Sequence, residues 1–249
     1  MIRSIPRLAL RAVPALLLLS VAVHAAEFQL SPTRVQLDPK HLVDTVVVGN
    51  SGATPLRFEV SVKRWTMAAD GSWVLVPSDD LIVHPLLLDI APGSRARLRV
   101  GQLVPSQDPA EAGYRIELDE QATGPRQSNS VRMLTRISLP VFVDGGRDGA
   151  PAAALASAQW QGGGLTFALH NGGDRYLPPQ PLDVQVVDAG GVPLAKQSLQ
   201  GNYVLAGATL PVRMHLPQAL CERANELRVH LQETGTQLRL PLSPRRCRP

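Results

Sequence analysis

Aromatic residues are scarce in this chain of 249 residues, at 4%. Single-strand recognition stacks successive bases on aromatic rings, so nucleic-acid binding is not expected. An adhesive or carbohydrate-binding sandwich would also need exposed rings. It stays as the alternative reading, with only three Trp and three Tyr to support it. Catalytic signatures are missing: there is no GxSxG, HExxH, P-loop or dinucleotide fingerprint. Gly162-Gly163-Gly164 precedes a strand pattern rather than a helix, so it reads as a turn. His24 lies in the basic, apolar start of the chain. His41, His84, His170, His215 and His230 are scattered and read as surface or turn positions. No catalytic residue, metal site or cofactor is expected.

Cysteine is nearly absent. Cys221 and Cys247 have no partnering histidine motif, which argues against zinc. Long apolar runs are also lacking after the first 26 residues, where nothing approaches the roughly 18 residues of a membrane span.

Those first residues form an export signal. Arg3, Arg7 and Arg11 precede the apolar stretch Ala12–Val23, and Val23-His24-Ala25 fits the small-residue cleavage rule. Cleavage is expected after Ala25 or Ala26, an uncleaved anchor being the alternative. Export makes a Cys221–Cys247 disulfide the leading expectation. The chain has 25 Lys+Arg and 21 Asp+Glu, and removing the three signal arginines leaves 22 against 21. An alkaline pI therefore gives little support to a polyanion-binding role.

Proline and glycine are abundant, at 22 and 20, and they punctuate short strands. Glu27–Leu37 reads as a strand broken at Pro32. Leu42–Val48, Leu56–Trp65 and Trp73–Val76 follow, with a hairpin at Ala69-Asp70-Gly71. Leu81–Leu88 is apolar and carries Pro85. In Arg95–Val100, arginines alternate with Ala96, Leu98 and Val100. Tyr114, Ile116 and Leu118 alternate with Arg115, Glu117 and Asp119. Turn signals every 8–12 residues and about seven strands point to an immunoglobulin-like sandwich. Asp144–Gly149 is a short polar hinge. Beyond it, Leu165–Leu169, Leu182–Val187, Leu194–Leu199, Val212–Leu216, Leu227–Leu231 and Leu238–Leu242 make a second all-β unit. The fold class is therefore all-β, with two immunoglobulin-like sandwiches: residues 27–144 and 150–249, after a signal at 1–26.

One stretch organises the rest. Val131–Val143 reads VRMLTRISLPVFV, with Val131, Met133, Ile137, Leu139, Val141 and Val143 apolar at odd positions. This alternation predicts a single long strand. Pro140 cannot donate to a ladder, so part of it should lie on an edge. An apolar edge strand is a template for another chain.

Several motifs occur in order: Ser31-Pro32-Thr33-Arg34, Val48-Gly49-Asn50 with Pro55, Val62–Trp65, Leu81–Leu86, Ile90-Ala91-Pro92-Gly93, Leu98-Arg99-Val100 and Arg136–Val143. With them the first domain resembles the periplasmic chaperones of the chaperone–usher pilus pathway. Leu169–Gly173 extends the resemblance, more loosely, into the second. The Ser-Leu-Pro-Val-Phe-Val ending is similar to the archaic, spore-coat-like branch.

The resemblance implies a periplasmic chaperone without cofactor or enzymatic activity. Its partners would be pilus subunits and an outer-membrane usher, and the open strand could also support self-association. It implies that Val131, Met133 and Ile137 are donated to a subunit's open groove. It further implies that Arg34 holds the subunit's C-terminal carboxylate. Ser138 stands where typical relatives carry a partnering lysine, which leaves Arg115 and Arg136 as candidates for the second cation.

Overall fold

The computed structural model describes residues 28–102, 106, 110–124, 131–161 and 163–243. The expected export signal, Cys247 and the second half of the Gln121–Ser130 loop lie outside the described residues.

Ten strands build the first unit: β1 (Phe28–Ser31), β2 (Val35–Leu37), β3 (Val43–Asn50), β4 (Leu56–Met67), β5 (Trp73–Pro77), β6 (Ile82–His84), β7 (Leu87–Ile90), β8 (Arg95–Gly101), β9 (Ala112–Glu120) and β10 (Arg136–Val143). One sheet has the order β1-β3-β8-β6. The other has the order β2-β10-β9-β4-β5, with β7 also on β4. The break at Pro32 is a change of sheet: β1 pairs with β3, while β2 runs parallel to β10. Pro85 does the same, sending β6 to β8 and β7 to β4. Proline suits both junctions because it has no N–H to leave unpaired. Inward alternation builds the core between the sheets. Val46, Val48, Phe58, Leu98, Val100, Ile116 and Leu118 are fully buried there. Each such side chain contributes roughly 1.5–3 kcal/mol.

The organising strand is shorter than its sequence pattern predicts. It begins at Arg136, not Val131. Pairing with β9 starts at Arg136↔Asp119, and the Thr135 N–H caps the ladder by donating to Glu120 Oε2 at 3.0 Å. Beyond Glu120 the chain of β9 ends, so Val131–Leu134 lacks a neighbour to complete a ladder. Alternation alone does not make a strand when no partner lies beside it. The edge expected from Pro140 is present: β2 pairs only with Val141–Val143, and no described strand flanks Arg136–Pro140 on that side.

The second unit comprises β11 (Ala153–Gln161), β12 (Gly164–Asn171), β13 (Pro181–Val187), β14 (Pro193–Gln200), β15 (Thr209–His215), β16 (Glu226–Leu231) and β17 (Thr236–Pro241), with a 3-10 helix at Gln218–Arg223. Its sheets are β11-β12-β15 and β14-β13-β16-β17. Phe167, Leu169, Val184, Val186, Leu227 and Val229 fill its core, and Cys221 is buried among them. Gly163, with φ +77°, turns β11 into β12. The architecture is two immunoglobulin-like sandwiches.

A third, smaller cluster joins them. Trp65 and Phe142, on the outer face of the β2-β10-β9-β4-β5 sheet, pack with Leu205, Tyr176 and Tyr203 of the second unit.

Candidate functional site

The site grows out of the sheet face that carries Trp65 and Phe142. Successive residues of a strand point to opposite faces, so every second residue shares that face. On β9 these are Gly113, Arg115, Glu117 and Asp119; on β10 they are Phe142, Pro140, Ser138 and Arg136. The register aligns Lys63, Arg115 and Pro140 in one row across β4, β9 and β10. Arg34 stands one residue before the Val35↔Val141 pair, so it flanks Pro140 from the other side. Three cations, Arg34, Arg115 and Lys63, thus line one row. The row lies directly beside the Phe142–Gly113–Trp65 row, on which the second sandwich rests.

Arg115 is buried, only 4% exposed. Its guanidinium carbon lies 4.0 Å from the Trp65 ring centroid, 4.1 Å from that of Trp73 and 5.5 Å from that of Tyr203. One nitrogen, Nη1, donates to the Ser138 carbonyl at 3.3 Å. Nε and Nη2 have no partner among the described residues. Burial pushes the Arg115 pKa down to about 10, so the group is still a cation at neutral pH. A desolvated cation draws a carboxylate strongly, and because Nε and Nη2 are closed to solvent, it acts on a ligand in the cleft through its charge. The aromatic faces hold the cation by its attraction to their ring electrons.

Arg34 is exposed, 5.7 Å from the Tyr176 ring centroid. Neither Arg34 nor Lys63 has an ion pair among the described residues. Arg136 is not brought to this row. It sits four residues up β10 and is tied by its cross-strand partner, with Nε and Nη2 both donating to the Asp119 carboxylate. Asp119 and Glu117 hold its pKa above the usual arginine value. Lys63 was missed by the sequence reading. The available signal was its parity with Trp65 in the Val62–Trp65 strand.

The open end of β10 carries the other candidates. Val131 is 95% exposed, Met133 88% and Leu134 51%. Ile137 is half-buried and packs on the first core. Arg132 points back and donates to the Thr123 carbonyl. An exposed, largely apolar segment with no strand beside it therefore leads into β10 above the cation row.

The second sandwich is fastened below the row. Phe142 stacks on Tyr176 with centroids 3.7 Å apart. Glu111 accepts the Tyr176 backbone N–H and Gln36 Nε2, both at 2.9 Å. Burial raises the Glu111 pKa, while those two bonds pull it back. Asp144 and Arg175 form an ion pair across the junction. Cys221 is buried in the second core, and its expected partner lies outside the described residues.

Residues 27–144 match the family model described as pili and flagellar-assembly chaperone, PapD N-terminal domain. Among curated proteins nothing matches. Solved structures share the fold. One is a chain of the CsuC–CsuE complex, a chaperone and a tip adhesion subunit of archaic chaperone–usher Csu pili from Acinetobacter baumannii. It is 18% identical, with a TM-score of 0.63, and the match covers 87% of this chain and 98% of that one. The class 5 fimbriae chaperone CfaA is 11% identical, with a TM-score of 0.57, over 87% and 99% of the two chains. A chain of the Salmonella enterica SafA pilin–SafB chaperone complex is 16% identical, with a TM-score of 0.52, over 89% and 99%. At these identities the structural matches establish the fold alone.

Proposed function

We propose, from the match of residues 27–144 to the N-terminal domain of pilus- and flagellar-assembly chaperones, binding proteins and not enzymes, that this chain captures pilus subunits by lending them a strand. The observation that carries the proposal is the pairing of two features on β10. A row of three cations stands at Pro140, and the unpartnered apolar segment Val131–Leu134 prolongs the strand.

The mechanism follows from their chemistry. A subunit's C-terminal carboxylate enters the cleft, drawn by the buried charge of Arg115, and is bound by the exposed guanidinium of Arg34. Lys63 adds the further positive charge that Ser138 cannot supply. The carboxylate sets the register of the subunit strand beside the open edge of Arg136–Pro140. Backbone bonds then run along that edge and on through Val131–Thr135. Val131 and Met133 enter the subunit's groove, each worth roughly 1.5–3 kcal/mol when buried. Ile137 continues the same side of the strand. Ordering the segment before β10 opposes this gain. No nucleotide hydrolysis is required, because exchange with another subunit's strand completes the release.

The similar chaperones CsuC and SafB form complexes with a tip adhesion subunit and a pilin respectively, which supports the same class of partner here. Export to the periplasm by the signal at residues 1–26, delivery to an outer-membrane usher and a Cys221–Cys247 disulfide belong to the same reading. So do domain limits at 27–144 and 150–249, membership of the archaic branch, and self-association through the apolar segment when no subunit is present. The test is co-expression with the products of neighbouring genes and recovery of a chaperone–pilin complex from the periplasm. A soluble one-to-one complex is expected. Recovery of pilin without the chaperone attached, at undiminished yield, would overturn the proposal.

A further inference from the structure

A second row of cations lies on the far side of the first sandwich, where the capture mechanism does not use it. In β8, Leu98 and Val100 are buried, while Arg95, Arg97 and Arg99 are exposed on the opposite face. The register of β1, β3, β8 and β6 places no Asp or Glu on that face. None of the three arginines has an ion pair among the described residues. Beside Arg99 a shallow hollow of about 330 Å³ is lined by Val43, Ile82 and His84. Val43 is 59% exposed and Ile82 46%.

We propose that this face docks an acidic, extended segment of a second protein, with carboxylates at alternate residues and an apolar side chain for the hollow. Alternate residues of a strand repeat about every 7 Å. An extended partner presents its own alternate side chains at the same interval, so three carboxylates meet three arginines in step. Each arginine can hold its carboxylate through two parallel bonds. The apolar hollow at the end of the row decides the class of partner. A lipid headgroup layer offers phosphates but no side chain to fill it, and mixed arginine and apolar surface is characteristic of protein interfaces. The proposal does not depend on the capture mechanism, since the face belongs to the other sheet.

The test uses the mature chain and a fluorescein-labelled peptide that alternates Asp with Thr and ends in Val-Ile. A second peptide of equal composition has its acids consecutive. Anisotropy at low salt should show the alternating peptide binding, and Arg97→Ser/Arg99→Ser should weaken it about tenfold or more. Binding should fade at roughly 0.3 M salt, as an exposed charge row requires. The consecutive-acid peptide should bind more weakly. The double variant should melt no lower than the parent and still capture subunits, because both arginines are exposed. Equal binding of the two peptides, equal binding by the variant, or no binding at all would overturn the proposal. So would sedimentation of the protein with phosphatidylglycerol vesicles in the absence of peptide preference.

Discussion

Phe142 of the first sandwich and Tyr176 of the second stack face to face, their centroids 3.7 Å apart and their planes 12° from parallel. Phe142 is also the last outward residue of β10 below the cation row, so this contact fixes the second domain against the strand that is to be donated. Arg34 lies over the Tyr176 ring, 5.7 Å from its centroid. Removing the ring leaves a cavity at the junction of the two units. Phe142→Ala should therefore cost about 3–5 kcal/mol in denaturant unfolding. It should also weaken subunit capture, because the cleft loses its floor.

Arg115 should separate stability from binding. Its charge is buried without a carboxylate, against the rings of Trp65 and Trp73. Methionine fills a similar space and removes the desolvated charge. Arg115→Met is expected to melt at or above the parent temperature while losing subunit capture. A variant that melts higher and captures normally would remove Arg115 from the anchor. Arg34→Ala should leave the melting temperature unchanged and lower capture; Lys63→Ala should lower it less, since Lys63 is farther from β10.

Glu111 predicts a pH dependence at the junction. Burial raises its folded pKa above the ordinary 4.5. A raised carboxylate pKa means the folded state binds the proton more tightly than the unfolded chain. Its contribution to stability is therefore full below pH 4.5 and lost as pH rises through the folded value. Glu111→Gln keeps an acceptor for the Tyr176 N–H and carries no charge. Melting curves taken upward from pH 4.5 should show this loss in the parent and not in the variant. Parallel curves would contradict it.

The disulfide prediction is chemical. Cys221 and Cys247 of exported protein should resist alkylation until reduced, as mass spectrometry of unreduced periplasmic material will show. For a loop of roughly 27 residues, reduction should cost about 3.5 kcal/mol in the second domain. Capture by the first domain should persist.

Much of this fold is legible in the chain because its strands are half-buried. Arg95–Val100 and Tyr114–Asp119 alternate cleanly, and the structure assigns their faces as the alternation does. The prolines at 32 and 85 mark interruptions, but that each one moves the chain to the opposite sheet depends on partners far away in sequence. β11 escaped notice because alanine carries much of its alternation. The start of β10 was misjudged because Val131–Thr135 has a strand's pattern without a strand's neighbour. Lys63 was invisible for a related reason. Its place beside Arg115 is a matter of register between β4 and β9, and no local pattern encodes register.

The central claim is that the apolar segment before β10 enters a subunit with one face. Met133 is 88% exposed, and Arg132 of the opposite parity donates to Thr123 instead. The most direct measurement is the yield of pilin co-purified from the periplasm with Met133→Asp and with Arg132→Asp. A carboxylate buried unpaired in the subunit groove should abolish recovery for Met133→Asp, while Arg132→Asp should recover nearly as much as the parent. Equal loss from both, or no loss from either, would contradict donation of this face.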